Sequence, residues 1–432
     1  MTICCSSIKR FISTVAIFQI LWGFLAMILL VTFVGQTKGA WANTFIAASC
    51  SAKDIETAIS KASTGDIVEV PSGSCTWGET IKIDKEIMLR GAGIDSTNIN
   101  INVRPGILIS ARANISGFTF RTSGKYVISV QSTASNFRIY DNKFYLTGSG
   151  TAIYVGGAYG LIDSNIFELE PSALGSEVIF VRGPENSWLT PNSIGGKDNL
   201  FVEDNTFTLS GVGDTGSTQA IDCNANSRVV FRYNNVTNMK FDAHGLWSNT
   251  PAHSARHYEV YNNHFYVSPG DGTVVMWRMM EIRGGTGRIF NNICTGMVKW
   301  GPDKYPDIRL IEYCDAVTSM PNGNCTNFVC PSDYPMMEQV GRGLNNSLKP
   351  LYLWNNTRNG VQIGAHLVDW PSRAAIDYCG FFEASDIIKE NRDFYVSDTK
   401  PEAIADYTPY PYPHPLRSAG EVPPHPSNLR IR

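Results

Sequence analysis

The chain has 432 residues, of which 43% are hydrophobic and 17% are charged, and its formal net charge is −3. The first 42 residues hold Lys9, Arg10 and Lys38 and no acid, so the remainder carries 33 bases against 39 acids, a net charge of −6. A weakly acidic chain without a basic run excludes nucleic acid as the expected partner. The length allows two or three domains, although a solenoid of this length can be a single domain.

Residues 1–42 are predicted to be an export signal. Lys9-Arg10 precedes an apolar stretch over Phe11–Val34, and Ala40-Trp41-Ala42 fits the small-x-small pattern at which signal peptides are cleaved. The apolar stretch is also long enough to span a bilayer, so an uncleaved membrane anchor is the alternative and the only membrane contact that we expect. In either case the bulk of the chain is predicted to be secreted, periplasmic or displayed at the cell surface.

Cysteine usage indicates an oxidising compartment, because eight of the ten cysteines follow the export signal. Cys50 and Cys75 bracket the first structural unit and are predicted to form a disulfide. Cys223 and Cys294 lie at inward-facing positions of strand-like runs and are predicted to be buried thiols. The loop-rich C-terminal third holds four more cysteines, which could form two bridges in an order that the sequence does not define. These four are Cys314, Cys325, Cys330 and Cys379.

The exported chain is predicted to begin with a helix. Ala52–Ala62 places Ile55, Ala58 and Ile59 on one face, which is the pattern of a short amphipathic helix. Such a helix is expected to cap the open end of a solenoid, since an uncovered coil would expose both its core and its sheet edge. An alternating strand within Gly65–Gly73 follows the helix and ends in a turn.

A seven-residue unit recurs along the chain, with a short alternating apolar strand, an Asx pair and another apolar residue, as in Arg138–Phe144. Its central residues, at steps of 23 to 40, are Asn142, Asn165, Asn205, Asn235, Asn263 and Asn292, with a looser copy at Leu351–Thr357. Asn suits the backbone of a tight corner, and Asn amides stacked at one corner can bond one another, so the repeat predicts a parallel β-helix. An antiparallel sandwich is the alternative, disfavoured because hairpin turns prefer Asn-Gly.

Two N-terminal motifs carry a resemblance to a known superfamily. Gly65–Gly73 has the form Gly-Asp-x-Val-x-x-Pro-x-Gly, and Leu89–Thr97 has the form Leu-Arg-Gly-Ala-Gly-Ile-Asp-x-Thr. Together with the helix they resemble the start of the pectate lyase-like (pectin lyase fold) superfamily, and the Asn-turn coils extend the resemblance to about residue 300. It implies an all-β, right-handed parallel β-helix over residues 43–400, with a short N-terminal capping helix and a loop-rich C-terminal end. A Pro-rich extended tail would follow over residues 401–432.

The resemblance does not select one activity, because the superfamily includes lyases, hydrolases, esterases, epimerases and virion tailspikes. The signatures of pectate lyases are not found. Those of polygalacturonases are matched only in pieces, at Asp242–Gly245 and Ile282–Gly284.

Four strands are predicted to bring polar side chains together on one outer face. Residues alternate across a strand, so the aliphatic residues of 179–183, 221–224, 241–245 and 280–284 point inward and the polar ones outward. Successive coils lie about 4.8 Å apart, which makes one patch of the outward residues. The predicted catalytic residues are Asp222, Asp242, His244, Glu281 and Arg283, with Arg182 and Asn224 as substrate-binding residues. The alternatives are a solvated outer face or a ladder of charge pairs.

Long loops flank the same patch and are predicted to build a binding groove. Tryptophan rings are flat and apolar with one donor, which suits the faces of sugars. The loop residues predicted to bind substrate are Trp247, Arg256, His257 and Trp277. The alternative for each Trp is packing within the core or against a loop.

Two mechanisms fit the patch. In β-elimination, Arg182 and Arg283, or a Ca²⁺ held by Asp222, Asp242 and Glu281, would neutralise a uronate carboxylate, and His244 or an Arg would remove the adjacent proton. In the alternative, a glycoside hydrolase would use two of the carboxylates. The sequence therefore predicts a secreted enzyme that cleaves a uronate-containing polysaccharide, with elimination preferred. A non-catalytic carbohydrate-binding or adhesin-like β-helix is the remaining alternative, and no cofactor beyond a possible Ca²⁺ is implied.

Overall fold

The computed structural model describes residues 43–124, 126–211, 218–245, 253–268, 278–296, 307–311, 338–368, 385 and 388–418. The export segment, Trp247, Trp277 and the four C-terminal cysteines lie outside these residues. Within the described part of the chain, no helix is long and apolar enough to cross a membrane. The predicted disulfide between Cys50 and Cys75 is present, and it is compatible with an extracellular location.

The predicted N-terminal helix spans Ala52–Lys61. It begins there because the Ser51 hydroxyl accepts a hydrogen bond from the Asp54 amide at 3.2 Å, which satisfies one free N–H of the first turn. Ile55, Ala58 and Ile59 are buried, as the amphipathic pattern predicts. The helix packs on the first strands of the solenoid, and the disulfide ties its N-terminal side to the coil below.

The chain then winds through three long sheets, and each coil contributes one strand to each sheet in turn. Sheet A is formed by Thr44–Ile46, Ile67–Val70, Ile87–Gly91, Ala113–Ser116, Phe137–Tyr140, Gly160–Asp163, Leu200–Glu203, Arg228–Arg232, His257–Tyr261, Thr286–Phe290, Leu351–Trp354 and Phe394–Ser397. Sheet B is formed by Gly73–Trp77, Thr97–Ile101, Thr119–Thr122, Lys143–Leu146, Ile166–Leu169, Thr206–Leu209, Asn235–Thr237, His264–Val267, Ile293–Gly296, Thr357–Arg358 and Val361–Gln362. Sheet C is formed by Ile81–Ile83, Ile107–Ile109, Ile128–Val130, Ile153–Gly156, Glu177–Arg182, Gln219–Asn224, Lys240–Ala243, Arg278–Ile282, Asp307–Ile311 and Ala365–Val368.

Neighbouring strands in these sheets are parallel, apart from the antiparallel pair of Thr357–Arg358 with Val361–Gln362. The molecule is therefore the right-handed parallel β-helix that the sequence predicts. Short 3₁₀ helices occur at Pro171–Ala173, Ser187–Leu189, Leu344–Asn346, Glu402–Ile404 and Pro415–Arg417. A continuous core of aliphatic and aromatic side chains fills the inside of the coils, including the predicted buried thiols Cys223 and Cys294.

An asparagine ladder forms the corner between sheets A and B. Each ladder amide before the last donates to the side-chain oxygen of the next coil's Asn and to backbone carbonyls, as Asn205 does to Asn234 at 3.1 Å and to the Ile162 carbonyl at 2.9 Å. The members are Asn142, Asn165, Asn205, Asn234, Asn263, Asn292 and Asn356. The prediction of Asn235 as a member is wrong by one residue, because Asn235 is the exposed first residue of the next strand.

The left-handed backbone of this corner falls on the residue before the ladder Asn. Asp141, Ser164, Asp204, Tyr233 and Asn262 have φ between 51° and 57°. Two consecutive residues therefore have different roles at this corner. The first residue turns the chain, and the buried Asn that follows satisfies backbone groups of two coils.

The outer face of sheet A is covered by the C-terminal tail. Leu161, Phe201 and Val230 belong to a second apolar cluster on this face, against which Tyr407 and Tyr410 of the tail pack. The Arg232 guanidinium, 0% exposed at its side chain, donates to the Tyr410 and Pro411 carbonyls at 2.6 and 2.8 Å. The C-terminal tail therefore lies along the outer face of sheet A.

Candidate functional site

The predicted patch lies on the outer face of sheet C, with its residues aligned in two columns. Asp222, Asp242 and Glu281 are register partners on three consecutive strands, and Phe180 precedes them. In the second column Arg182 pairs with Asn224.

His244 and Arg283 extend the second column. Their backbone amides donate to the Cys223 and Ala243 carbonyls of the preceding strands at 2.8 and 2.9 Å. The structure therefore brings together the seven strand residues that alternation predicts. The first column continues in register through Arg309 and His366, which the sequence analysis did not single out.

The acidic part of the patch is buried, although it lies on the outer side of the strands. Asp242 is 0% exposed, Asp222 2% and Glu281 6%, and Asn224 and His244 are buried as well. Arg182 is exposed. The alternative of a solvated face is therefore wrong for the acids.

Asp242 and Glu281 are held in a network of ion pairs. The Arg283 guanidinium donates to Asp242 Oδ1 from Nη2 at 2.8 Å and from Nε at 3.2 Å. The Lys240 ammonium lies 2.7 Å from Asp242 Oδ2, and it also donates a hydrogen bond to Glu281. Lys240 was missed by the sequence analysis, yet it lies two residues before Asp242 and the same alternation would have found it.

Asp222 differs from Asp242 because it forms no ion pair with a residue that the structure describes. Its Oδ1 is buried without a hydrogen-bond partner among the described residues. Burial raises the pKa of Asp222 well above its usual range, and the charges of Asp242 and Glu177 raise it further. Burial alone would raise the pKa of Asp242 too, but Arg283 and Lys240 outweigh it and hold that pKa below its usual range. The two pKa shifts have opposite directions, so of the two carboxyls Asp222 is the one that holds its proton to higher pH.

The three acids do not fit the predicted Ca²⁺ site. Calcium takes six to eight oxygen ligands, and these must be free to face the ion. Here Arg283 and Lys240 occupy both oxygens of Asp242, and Lys240 also binds Glu281. No group of His, Cys, Asp and Glu side chains in the described ranges has an arrangement that would hold a metal ion.

An open groove of about 990 Å³ adjoins the patch at the ends of the sheet C strands. Its lining residues are Ser132, Tyr154, Gly156, Gly157, Arg182, Gly183, Pro184, Glu185, Asn186, Leu189, Ala225, Asn226 and His253. The buried Oδ1 of Asn226 has no hydrogen-bond partner within the described part of the chain. The His253 ring binds Glu338 through Nδ1, and this hydrogen bond raises the pKa of His253. The groove thus presents a cation, an unpaired acceptor and an oriented imidazole.

Arg256 and His257 occupy positions different from those predicted for substrate-binding residues. Arg256 is 1% exposed and donates to the Ser187 and Thr190 carbonyls at 3.2 and 3.1 Å. His257 is 0% exposed and its Nε2 bonds the Asn199 side chain at 2.7 Å. Both side chains hold the loop 183–199 against the solenoid, so they do not reach the groove.

Trp188 has the same supporting role, because its indole N–H donates to the Ser254 carbonyl at 2.9 Å. The predicted sugar-binding residues Trp247 and Trp277 lie outside the described residues, and their prediction stands untested.

Comparisons with known proteins give little further information. No protein-family model matches the chain, and no curated protein matches it. A solved structure that is similar to it is ORF18 of Geobacillus virus E2, with 15% sequence identity and a TM-score of 0.32. The similarity covers 60% of this chain and 59% of that one. A similarity this low carries no argument about function.

Proposed function

We propose that the protein is a secreted enzyme that cleaves an extracellular, uronate-containing polysaccharide on the outer face of sheet C. The observation that carries the proposal is the Asp222–Asp242 pair, whose pKa values move in opposite directions although the residues are register neighbours. A protonated carboxyl beside an ionised one is the arrangement that acid-catalysed cleavage of a glycosidic bond requires.

Hydrolysis is the mechanism that this pair favours. Asp222 would donate its proton to the glycosidic oxygen as the bond to the anomeric carbon breaks, and the charge of Asp242 would stabilise the cationic transition state. Water would then add its oxygen to the anomeric carbon and return a proton to Asp222. Paired strands lie about 4.7–4.9 Å apart, which is close to the carboxyl separation of about 5–5.5 Å in retaining enzymes.

Elimination is the second candidate, supported by Arg182 and His253 in the groove. Arg182 is exposed and forms no ion pair with a described residue, so it would be free to bind a uronate carboxylate, and His253 would be the base. We place this mechanism second, contrary to the preference drawn from the sequence. The reason is that Arg283, one of the two arginines that the sequence predicts to bind the uronate carboxylate, is paired with Asp242.

Membership of the pectate lyase-like superfamily and export are parts of the same proposal. The parallel β-helix, the N-terminal capping helix and the motifs within Gly65–Gly73 and Leu89–Thr97 support the first. The Cys50–Cys75 disulfide and the composition of residues 1–42 support the second.

The test is a cleavage assay of the purified protein on pectin, polygalacturonate, alginate and glycosaminoglycans, with and without Ca²⁺. New reducing ends without ultraviolet absorbance would support hydrolysis, and new reducing ends with absorbance would support elimination. We expect Asp222→Asn to lower turnover at least about 100-fold, the usual contribution of a general acid.

Glu168→Gln is the matched control, since Glu168 is an acid on the outer face of sheet B, paired with Lys143 at 3.0 Å. We expect this variant to retain full turnover. Failure of the folded wild-type protein to cleave any acidic or neutral glycan would overturn the proposal and favour a non-catalytic binding role.

A further inference from the structure

A ladder of aromatic rings leads along the outer face of sheet C towards Asp222. The ring centroids of Tyr126 and Tyr154 lie 5.8 Å apart with an interplanar angle of 2°, and those of Tyr154 and Phe180 lie 5.7 Å apart at 15°. Tyr154 and Phe180 are register partners, and Phe180 is in turn the register partner of Asp222. The rings therefore approach the acid pair from the N-terminal side, one coil at a time.

Packing of the core does not explain this ladder. An inner ladder of Phe120, Phe144, Phe167 and Phe207 has comparable centroid distances, from 4.7 to 5.4 Å, and its rings are 0% exposed. The outer rings are only half-buried. Part of each outer ring is therefore accessible to a ligand.

An arginine lies at each end of the outer ladder. The Arg104 guanidinium lies 3.7 Å from the centroid of Tyr126, and that of Arg182 lies 5.9 Å from the centroid of Phe180. Both arginines are exposed, and neither forms an ion pair with any residue that the structure describes. A guanidinium presents a planar fork of donors that matches a carboxylate or sulfate, and a half-exposed aromatic ring suits the apolar face of a sugar.

We propose that Arg104, Tyr126, Tyr154, Phe180 and Arg182, here called the aromatic strip, bind an extended anionic glycan and direct it to Asp222. Tyr154 and Arg182 also line the open groove, so the strip and the groove form one continuous surface. Glu185 is the carboxylate on that lining and would disfavour anions near its own position. This inference deepens the proposed function, because it specifies the class of substrate and the direction from which it arrives.

The test is affinity electrophoresis of the Asp222→Asn protein, in which we expect cleavage to be at least about 100-fold slower. The native gels contain polygalacturonate, alginate, chondroitin sulfate or neutral dextran. We expect at least one acidic polymer to retard the protein and dextran to leave its migration unchanged. Adding Tyr154→Ala should raise the dissociation constant for that polymer about tenfold. Adding Arg182→Gln should raise it as well and weaken its dependence on salt.

Tyr145→Ala is the matched control, because Tyr145 lies on the outer face of sheet B with Arg121 4.8 Å from its ring centroid. This variant should bind as the parent does. If Tyr154→Ala fails to fold by circular dichroism, Tyr126→Ser replaces it, since Tyr126 lies outside the strands. Unchanged binding in the folded strip variants, equal retardation by dextran, or no retardation by any polymer would each contradict the inference.

The outcomes also separate this inference from the proposed function. Cleavage of a polymer by wild-type protein, with binding unaffected by Tyr154→Ala, would reject the aromatic strip and leave the enzyme activity standing. Retardation that depends on Tyr154 and Arg182, without cleavage of any glycan by wild-type protein, would reject the enzyme and leave the binding surface standing.

Discussion

Asp222 and Asp242 are identical side chains on paired strands, and their different partners shift their pKa values in opposite directions. The folded protein holds the proton of Asp222 to a higher pH than the unfolded chain does, so this group lowers the free energy of unfolding as pH rises above about 3.9, the unfolded value. The pKa of Asp242 is lowered, so its ion pairs stabilise the protein above about pH 3.9 and are lost as pH falls through the folded pKa.

Asparagine at these two positions is therefore expected to change stability in opposite directions. Asp222→Asn removes an ionisation cost and should leave the free energy of unfolding at pH 8 unchanged or raised. Asp242→Asn removes the carboxylate that Arg283 and Lys240 share and should cost about 3–5 kcal/mol at pH 7.

Urea unfolding followed by tryptophan fluorescence from pH 4 to pH 8 would measure both effects. The Asp222→Asn difference should grow with pH over this range. Equal losses for the two variants at pH 7 would contradict the opposite pKa shifts of the two carboxyls.

Residue positions in the patch were predictable, but their environments were not. Alternation alone places Arg182, Asp222 and Asp242 on one face, and the register confirms it. The burial of these side chains depends on which segments cover that face, and strand alternation gives no information about those segments. For the same reason the sequence does not reveal that Arg256 and His257 support a loop, since that role depends on where residues 183–199 return to the solenoid.

The asparagine ladder is the element that joins successive coils at one corner. Asn234 is 1% exposed, and its amide donates to the Val202 carbonyl, the Arg232 carbonyl and the Asn263 side chain at 2.9–3.1 Å. A buried backbone carbonyl that loses its donor cannot recover the bond from water, so each member stabilises the coil before it and the coil after it.

Adjacent asparagines in this corner offer a matched comparison. We expect Asn234→Ala to lower the free energy of unfolding by about 2–4 kcal/mol, because three buried hydrogen bonds are lost at about 1 kcal/mol each and carbonyl groups are left unsatisfied. Asn235→Ala changes an exposed side chain and should cost less than about 0.5 kcal/mol. Chemical unfolding would measure the free energy of unfolding of both variants. A larger decrease for Asn235→Ala than for Asn234→Ala would contradict the assignment of Asn234 to the ladder.

Helix and strand positions were largely predictable, and the corner detail was not. The amphipathic pattern locates the capping helix, and the repeat locates the strands. The repeat does not decide which of two consecutive asparagines is buried, because asparagine suits a turn at either position. The choice follows from the strand register of the neighbouring coils, in which Asn235 pairs with Thr206 and His264.

At the scale of the whole molecule, buried ion pairs bind the C-terminal tail to the outer face of sheet A. Glu203 is 0% exposed, and it accepts bonds from Arg232 and from Arg417 of the tail at 2.7 and 2.8 Å. Arg417 also lies 3.3 Å from Asp163. Burial and the nearby arginines lower the pKa of His414 to about 4, so this tail residue is neutral under ordinary conditions and adds no charge to the group. The proline-rich composition predicts an extended tail but not these partners. They lie on three successive coils that are far from the tail in sequence.

Removing the tail's guanidinium should therefore destabilise the whole solenoid. Arg417→Ala leaves Asp163 and Glu203 with one arginine fewer, and we expect a cost of about 2–4 kcal/mol, somewhat below that of a fully buried pair because the Arg417 side chain is 21% exposed. Arg112→Ala is the control, since Arg112 and Glu86 form an ion pair with both side chains more than 40% exposed and should contribute little. Thermal and urea unfolding would measure both variants. Equal, small effects of the two substitutions would contradict this prediction. They would mean that the tail is held on sheet A by its tyrosines and that Arg417 contributes little to stability.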